Sequence, residues 1–316
     1  MAKKIVICSI GASSPNTPHD LHGSAQNEYL VQFWQREIDL VLPDCPDLIL
    51  LPEHADRFVD QDTEPNSEDR AQRSDALLHC LRGIACEHSC YIAYGTSRLQ
   101  PDGDWKNAAL LVGRRGEILV EYHKNHPVIS EIEDFGITCG TEASVVETEF
   151  GRIGLAICFD LNFEELRLKY EAARLDLLLF PSLFHGGLMQ PYWAYSCRTH
   201  FVSCVGVANL PSEIYSPVGH RIAGSTNYFS TVTATINLDC IVVHLDNNIQ
   251  KLKCLKQKYG ADVTVFDPGQ LGSVLVTSES TEISATKMIH AFDIESLDNY
   301  LARSRQHYNA AQTSKN

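Results

Sequence analysis

The chain has 316 residues, 44% apolar and 21% charged, the balance of a folded globular protein with a sizeable core. Its 40 acidic against 26 basic residues give a net charge of −14, which disfavours nucleic acid and anionic membrane as partners. The 11 cysteines, an odd count scattered through apolar segments, argue against a disulfide framework. The apolar stretch Ile5 to Cys8 is too short for a signal-peptide core, and no run approaches membrane-spanning length, so a reducing, cytoplasmic setting is expected.

Strand and helix patterns alternate along most of the chain. Lys4–Ile10 reads as a first strand, and Tyr29, Leu30, Phe33, Trp34, Ile38, Val41 and Leu42 give Glu28–Leu42 helical spacing before Pro43. Asp47–Leu51 is a second strand running into Pro52-Glu53. A polar stretch around Asp60–Asn66 precedes a helix from Ser67 towards Cys86, and Tyr91–Gly95 is a third strand. Ala108–Val112 and Glu117–Tyr122 flank a glycine-bounded tetrapeptide and predict a hairpin, and Ser144–Glu149 with Arg152–Ile157 predict another. Glu164–Ala173 is a helix, Leu177–Pro181 an apolar strand, Trp193–Phe201 a helix and Val202–Ala208 a strand. Beyond the irregular 225–262 region, strands are expected at Val263–Asp267, Ser273–Thr277 and Ile289–Asp293, then a helix near Ser296 and a frayed tail from Ala310. Near-continuously apolar strands predict α/β architecture with sheets covered on both faces.

Three reactive side chains stand where apolar strands end: Glu53, Lys124 and Cys158. Ligand sites in such sheets lie outside strand ends, so three strands can bring these groups together. A carboxylate can take a thiol proton, sulfur can attack a carbonyl, and an ammonium can hold the resulting oxyanion. Cys158 also lies between the strand-like Arg152–Ile157 and a polar helix start. Unpaired backbone N–H groups there are expected to favour thiolate.

The local sequences resemble the nitrilase superfamily of carbon–nitrogen hydrolases. Leu51-Pro52-Glu53 is similar to that family's strand ending in Pro-Glu, and Tyr122-His123-Lys124 to its Tyr-Arg-Lys, with His in place of Arg. Gly151-Arg152-Ile153-Gly154-Leu155-Ala156-Ile157-Cys158-Phe159-Asp160 resembles its nucleophile segment, although Asn162-Phe163 replaces the usual Phe-Pro. Asn107-Ala108 matches a common Asn-Ser/Ala. Leu179-Phe180-Pro181-Ser182, Trp193, Arg198, Val207-Ala208-Asn209, Phe266–Gly269, Ile289–Asp293 and Arg303 extend the resemblance to about residue 305.

What the resemblance implies is a four-layer α-β-β-α sandwich, a single domain over 1–316 with an insertion at about 225–262, and assembly as a homodimer or higher homo-oligomer. It implies a small-molecule amide or N-carbamoyl substrate, a thioester on Cys158, and no cofactor or metal. Glu53 is the implied base, with Lys124 and the Phe159 N–H holding the oxyanion. A second glutamate that positions Lys124 is Glu133 by its interval to Gly140, with Glu131 also open. Phe184 and His185, after the strand ending at Pro181, are candidate substrate contacts. Cys158-Phe159-Asp160 resembles the amidase and carbamoylase branches; a nitrilase, or a non-catalytic scaffold of the same fold, is the alternative.

Other clusters carry less. His79, Cys80, Cys86, His88 and Cys90 match no common zinc spacing. His19, Asp20 and His22 read as an exposed turn, His126 as a loop residue beside Lys124, and Lys251–Lys258 as a solvated helix face.

Overall fold

The computed structural model describes residues 1–60 and 67–313, so most of the polar stretch expected at Asp60–Asn66 and the end of the tail lie outside the described residues. The chain gathers into two units, Ile5–Ile236 and Met1–Lys4 with the residues from Asn237 onward.

In the first unit the elements run β1 (Lys4–Ile10), α1 (Ser24–Asp39), β2 (Leu48–Leu50), α2 (Ser67–His88), β3 (Tyr91–Leu99), β4 (Trp105–Val112), β5 (Ile118–His123), α3 (Ile129–Glu133), β6 (Val145–Thr148) and β7 (Gly151–Leu155). There follow α4 (Glu164–Ala173), β8 (Leu177–Ser182), α5 (Met189–Cys197), β9 (His200–Val205), β10 (Glu213–Tyr215), β11 (Arg221–Gly224) and β12 (Thr231–Asn237). They form two six-stranded sheets, ordered β12-β1-β2-β3-β4-β5 and β11-β10-β9-β8-β7-β6. Each has parallel strands inside, β1-β2-β3 and β7-β8-β9, followed by antiparallel strands.

The layering follows from which faces are apolar. Leu30, Trp34 and Ile38, spaced by four, form the buried stripe of α1, which packs with Leu77, Leu81 and Ala85 of α2 against Ile49, Ile92 and Leu110. A fully buried side chain of this kind contributes roughly 1.5–3 kcal/mol. On the second sheet, Tyr170 of α4 and Trp193 of α5 are fully buried with ring centroids 6.4 Å apart. The two sheets meet directly: Ser9 Oγ donates to the Ser203 carbonyl at 2.8 Å, and Cys204 Sγ to the Ile10 carbonyl at 3.1 Å. This is the α-β-β-α order that the resemblance implies.

The second unit holds β13 (Cys240–His244), α6 (Ile249–Tyr259), β14 (Val263–Phe266), β15 (Ser273–Ser278), α7 (Ala285–His290) and α8 (Leu297–Thr313). Its sheet has the order β13-β15-β14, with Val243, Leu255, Val274, Val276, Met288 and Ile289 in its core. Residues 225–262 are thus shared between units, β12 completing the first sheet and β13 and α6 opening the second unit.

Several elements differ from expectation. Trp193–Phe201 is not one helix: α5 stops at Cys197, Arg198 takes a left-handed φ of 54°, and His200 already pairs in β9. Ile289–Asp293 is no strand, because Ser284 Oγ accepts from Lys287 N and starts the α7 turn. The short strands β10 and β11, and α3, carry too little periodicity to be seen in sequence.

Candidate active site

The β2 chain continues past its last strand residue through Leu51 and Pro52 to Glu53, and the bend is anchored from several sides. Leu51 N donates to the Ala93 carbonyl, Gly95 N to the Pro52 carbonyl and Ala55 N to the Gly95 carbonyl. Gly95 is required here, since a Cβ would lie 2.4 Å from Glu53 Cα. Asp56 accepts from Thr96 Oγ1 and Ser97 N, and Trp34 Nε1 of α1 donates to the Ala55 carbonyl. Glu53 is thereby held 2% exposed.

Lys124 follows β5 and is tied to β4 by its N–H to the Asn107 carbonyl at 2.9 Å. Its ammonium, also 2% exposed, donates to Glu53 Oε1 at 2.9 Å and to Glu131 Oε2 at 2.7 Å. Asn107 Nδ2 joins the same two carboxylates, at 2.8 Å to Glu53 Oε1 and 2.6 Å to Glu131 Oε1. The second glutamate at Lys124 is therefore Glu131; Glu133, preferred on its interval to Gly140, is exposed. Both sit in the five-residue α3, where positions two apart point to different sides, so only one can face the ammonium. Val128 N at the helix start donates to Glu131 Oε2, which selects that one. Gly140 does anchor the segment: its N–H reaches the Lys124 carbonyl, and a Cβ would lie 2.2 Å from the His123 carbonyl oxygen.

Cys158 comes three residues after the end of β7, with φ 48°, in the left-handed region that costs a non-glycine residue roughly 1–2 kcal/mol. Asp160 holds this turn. Fully buried, its carboxylate accepts from Ile157 N, Tyr122 Oη and both His126 N and Nδ1, all within 2.7–3.0 Å. The His126 ring stacks on Phe163 at 3.8 Å, and Phe159 meets Phe163 edge-on at 5.3 Å. The Cys158 side chain meets the Glu53 carboxylate, the Lys124 ammonium and the Ser182 side chain.

Electrostatics correct one expectation. Burial pushes the Cys158 thiol well above its ordinary range, Glu53 adds to this, and Lys124 opposes it only in part. Held above its ordinary range, the sulfur rests as a thiol rather than the thiolate expected from the turn, because desolvation is the largest effect on it. Burial alone would push both carboxyls up. Lys124 and His54 hold Glu53 below its ordinary value, and a His54 hydrogen bond with Lys124 holds Glu131 far below. Burial favours neutral Lys124, but the carboxylates of Glu53 and Glu131 keep it an ammonium.

Of the other expected contacts, Phe159 and Phe184 are 36% and 41% exposed, beside the turn and beside Ser182. His185 has Nδ1 accepting from Gly187 N at 3.1 Å, and its Nε2 lies 3.2 Å from Glu213 Oε2. His126, read as a loop residue, and Ser182 belong to the nucleophile's support. His54 was missed altogether; its only sequence signal is its place directly after Glu53. A cavity of about 320 Å³ lined by His54, Arg57, Phe135, Leu183 and Gly206 adjoins the centre, Leu183 N donating to Glu53 Oε2. Glu53, His54 and Glu131 present ligand atoms within 4.8 Å of one another, a spacing that suits a cation, but Lys124 already places a positive charge between the carboxylates.

The family described as carbon-nitrogen hydrolase matches residues 22–242. Omega-amidase NIT2 of Homo sapiens is 24% identical over 220 residues, 66% of this chain and 74% of that protein. A hydrolase of Schizosaccharomyces pombe is 24% identical over 217 residues, 63% of this chain; the match spans 65% of that protein's length. Among solved structures, an amidase from Nesterenkonia sp. superposes with TM-score 0.62 at 17% identity, covering 73% of this chain and 90% of that one. Nit3 of Saccharomyces cerevisiae gives 0.59 at 18%, covering 82% and 95%. With that family match over most of its length and the same fold in these structures, the chain belongs to the carbon–nitrogen hydrolases of the nitrilase superfamily.

Proposed function

We propose that this chain hydrolyses a linear amide or N-carbamoyl compound through a thioester on Cys158. The observation that carries this reading is the meeting of a neutral thiol with an ionised, buried carboxylate and an ammonium. With the thiol's proton affinity raised and that of Glu53 lowered, the proton leaves sulfur only as sulfur bonds to carbon. Glu53 takes that proton while the Lys124 ammonium and the Phe159 N–H hold the oxyanion. Collapse breaks the C–N bond, and the departing amine takes the proton from Glu53. Glu53 then removes a proton from water as its oxygen attacks the thioester, releasing acid and restoring the thiol. Glu131 keeps Lys124 in place through its 2.7 Å bond.

The amide direction is supported by the omega-amidase among its relatives and by the Phe159-Asp160 that follows Cys158. A reducing, cytoplasmic setting is the reading that the odd number of cysteines, scattered through apolar segments, supports. Assembly with further copies is supported by the exposed Leu168, Leu188, Tyr228 and Phe229, and light scattering measures it. Ammonia release across amides, N-carbamoyl amines, N-carbamoyl amino acids and nitriles tests the activity, with mass spectrometry of quenched enzyme to find acyl-Cys158. Turnover of nitriles alone would replace the amide reading. Folded protein that turns over none of them and leaves Cys158 unalkylated by iodoacetamide would make it a scaffold.

A further inference from the structure

His54 is buried, 8% exposed, in the residue directly after Glu53, and has a left-handed φ of 53°. Its Nε2 lies 3.6 Å from Glu131 Oε1, 4.0 Å from Glu53 Oε1 and 3.3 Å from Asn107 Nδ2. The Asn107 amide already donates to both carboxylates, so it has no hydrogen left for an imidazole lone pair. A bare Nε2 would also point its lone pair at carboxylate oxygens. Nε2 therefore carries a proton.

Charge counting gives the reason for it. Glu53 and Glu131 bring two negative charges into a nearly dry site, and Lys124 brings one positive. Two buried carboxylates sharing a single cation compete, and one of them tends to keep a proton. A proton on Glu53 would remove the base before the thiol is engaged.

We propose that His54 is a positioning residue whose imidazolium supplies the second positive charge of the centre, so that Glu53 and Glu131 are both ionised around Lys124. This rests on the thiol-hydrolase reading above. The other charged or titratable groups around the ring are Cys158, whose thiol meets Glu53, and Arg57, which borders the same cavity and lies over the Phe135 ring at 5.1 Å. Asp56, on the same loop, is engaged by Thr96 and Ser97. The depression of both carboxyls by His54 agrees with this role.

The test compares wild type, His54→Leu and His54→Gln by the pH profile of kcat/KM and, independently of any substrate, by the pH profile of Cys158 alkylation with iodoacetamide, read on the Cys158 peptide by mass spectrometry. Gln keeps a donor without the charge and guards against loss of folding in the Leu variant. The expected result is that the acid limb moves towards neutral pH by about one unit or more in both variants, with KM changed by about twofold or less. Wild-type limbs in the Gln variant would overturn the charge role, and so would a loss of activity with no movement of either profile. If wild type hydrolyses no amide, the proposed function fails, while the alkylation profile still decides the role of His54.

Discussion

The two units treat charge in opposite ways. In Ile5–Ile236, Glu53, Lys124, Glu131, Asp160 and Arg167 are all buried. Among the described residues of the unit that begins at Asn237, no ionisable side chain is buried; its buried polar groups are Asn248 and the hydroxyls of Ser273, Thr277, Ser278, Ser280 and Ser296. Two of its ion pairs, Lys251 with Asp293 at 3.0 Å and Arg303 with Glu295 at 2.7 Å, edge an open polar cavity of about 620 Å³. Desolvating a charge costs several kcal/mol, so a protein concentrates buried charges only where their mutual arrangement is worth that cost. Uneven burial of charge, not cavity size, separates the region built for chemistry from the region built for packing.

Substitutions can break this comparison. Cys158→Ala and Lys124→Ala have the largest expected effect, loss of turnover by about four orders of magnitude or more with the circular dichroism spectrum retained in the cysteine variant. Steady-state turnover near wild type in either would remove its assigned role. Next comes the pair of neighbouring glutamates: Glu131→Gln is expected to lower kcat by roughly a hundredfold, whereas Glu133→Gln stays within about twofold. Reversed results in the same assay would reinstate Glu133.

Asp160→Ala acts on stability first. It leaves Ile157 N, Tyr122 Oη and the His126 donors without their acceptor, a cost of about 3 kcal/mol or more that chemical denaturation measures. A variant as stable as wild type would show that the turn holds itself.

A smaller effect comes from His200, fully buried at the start of β9, where desolvation lowers its value to about 4. Because the unfolded chain protonates this imidazole near pH 6.5, the unfolded state binds more protons between about 6.5 and 4, and stability falls as pH drops through that window. His200→Phe is expected to flatten the slope of stability against pH there, as equilibrium urea titrations read it. An unchanged slope would place the acid sensitivity elsewhere. Smallest of all, Lys251→Ala in the second unit should change stability by about 0.5 kcal/mol or less and turnover not at all. A marked loss of turnover would dissolve the contrast between the units.

Much of this was legible in the sequence. Lys4–Ile10 and Glu164–Ala173 have the bounds that their apolar spacing predicts, and Glu53, Lys124 and Cys158 meet as their strand ends suggest. Glu131 against Glu133 was not legible, since two carboxylates two residues apart differ only by the side of a short helix they occupy. Nor was the protonation of Cys158, which the local turn argued one way and burial decided the other.

Sequence by itself determined the alternation of the longer strands and helices, the apolar faces that stack into layers, and the residue types set at three strand ends, because these depend on periodicity and on neighbours along the chain. Tertiary structure alone decided which glutamate faces Lys124, that His54 joins the centre, and that the nucleophile rests as a thiol. Each depends on desolvation and on distances between groups remote in sequence, such as the 2.9 Å between Lys124 and Glu53, 71 positions apart.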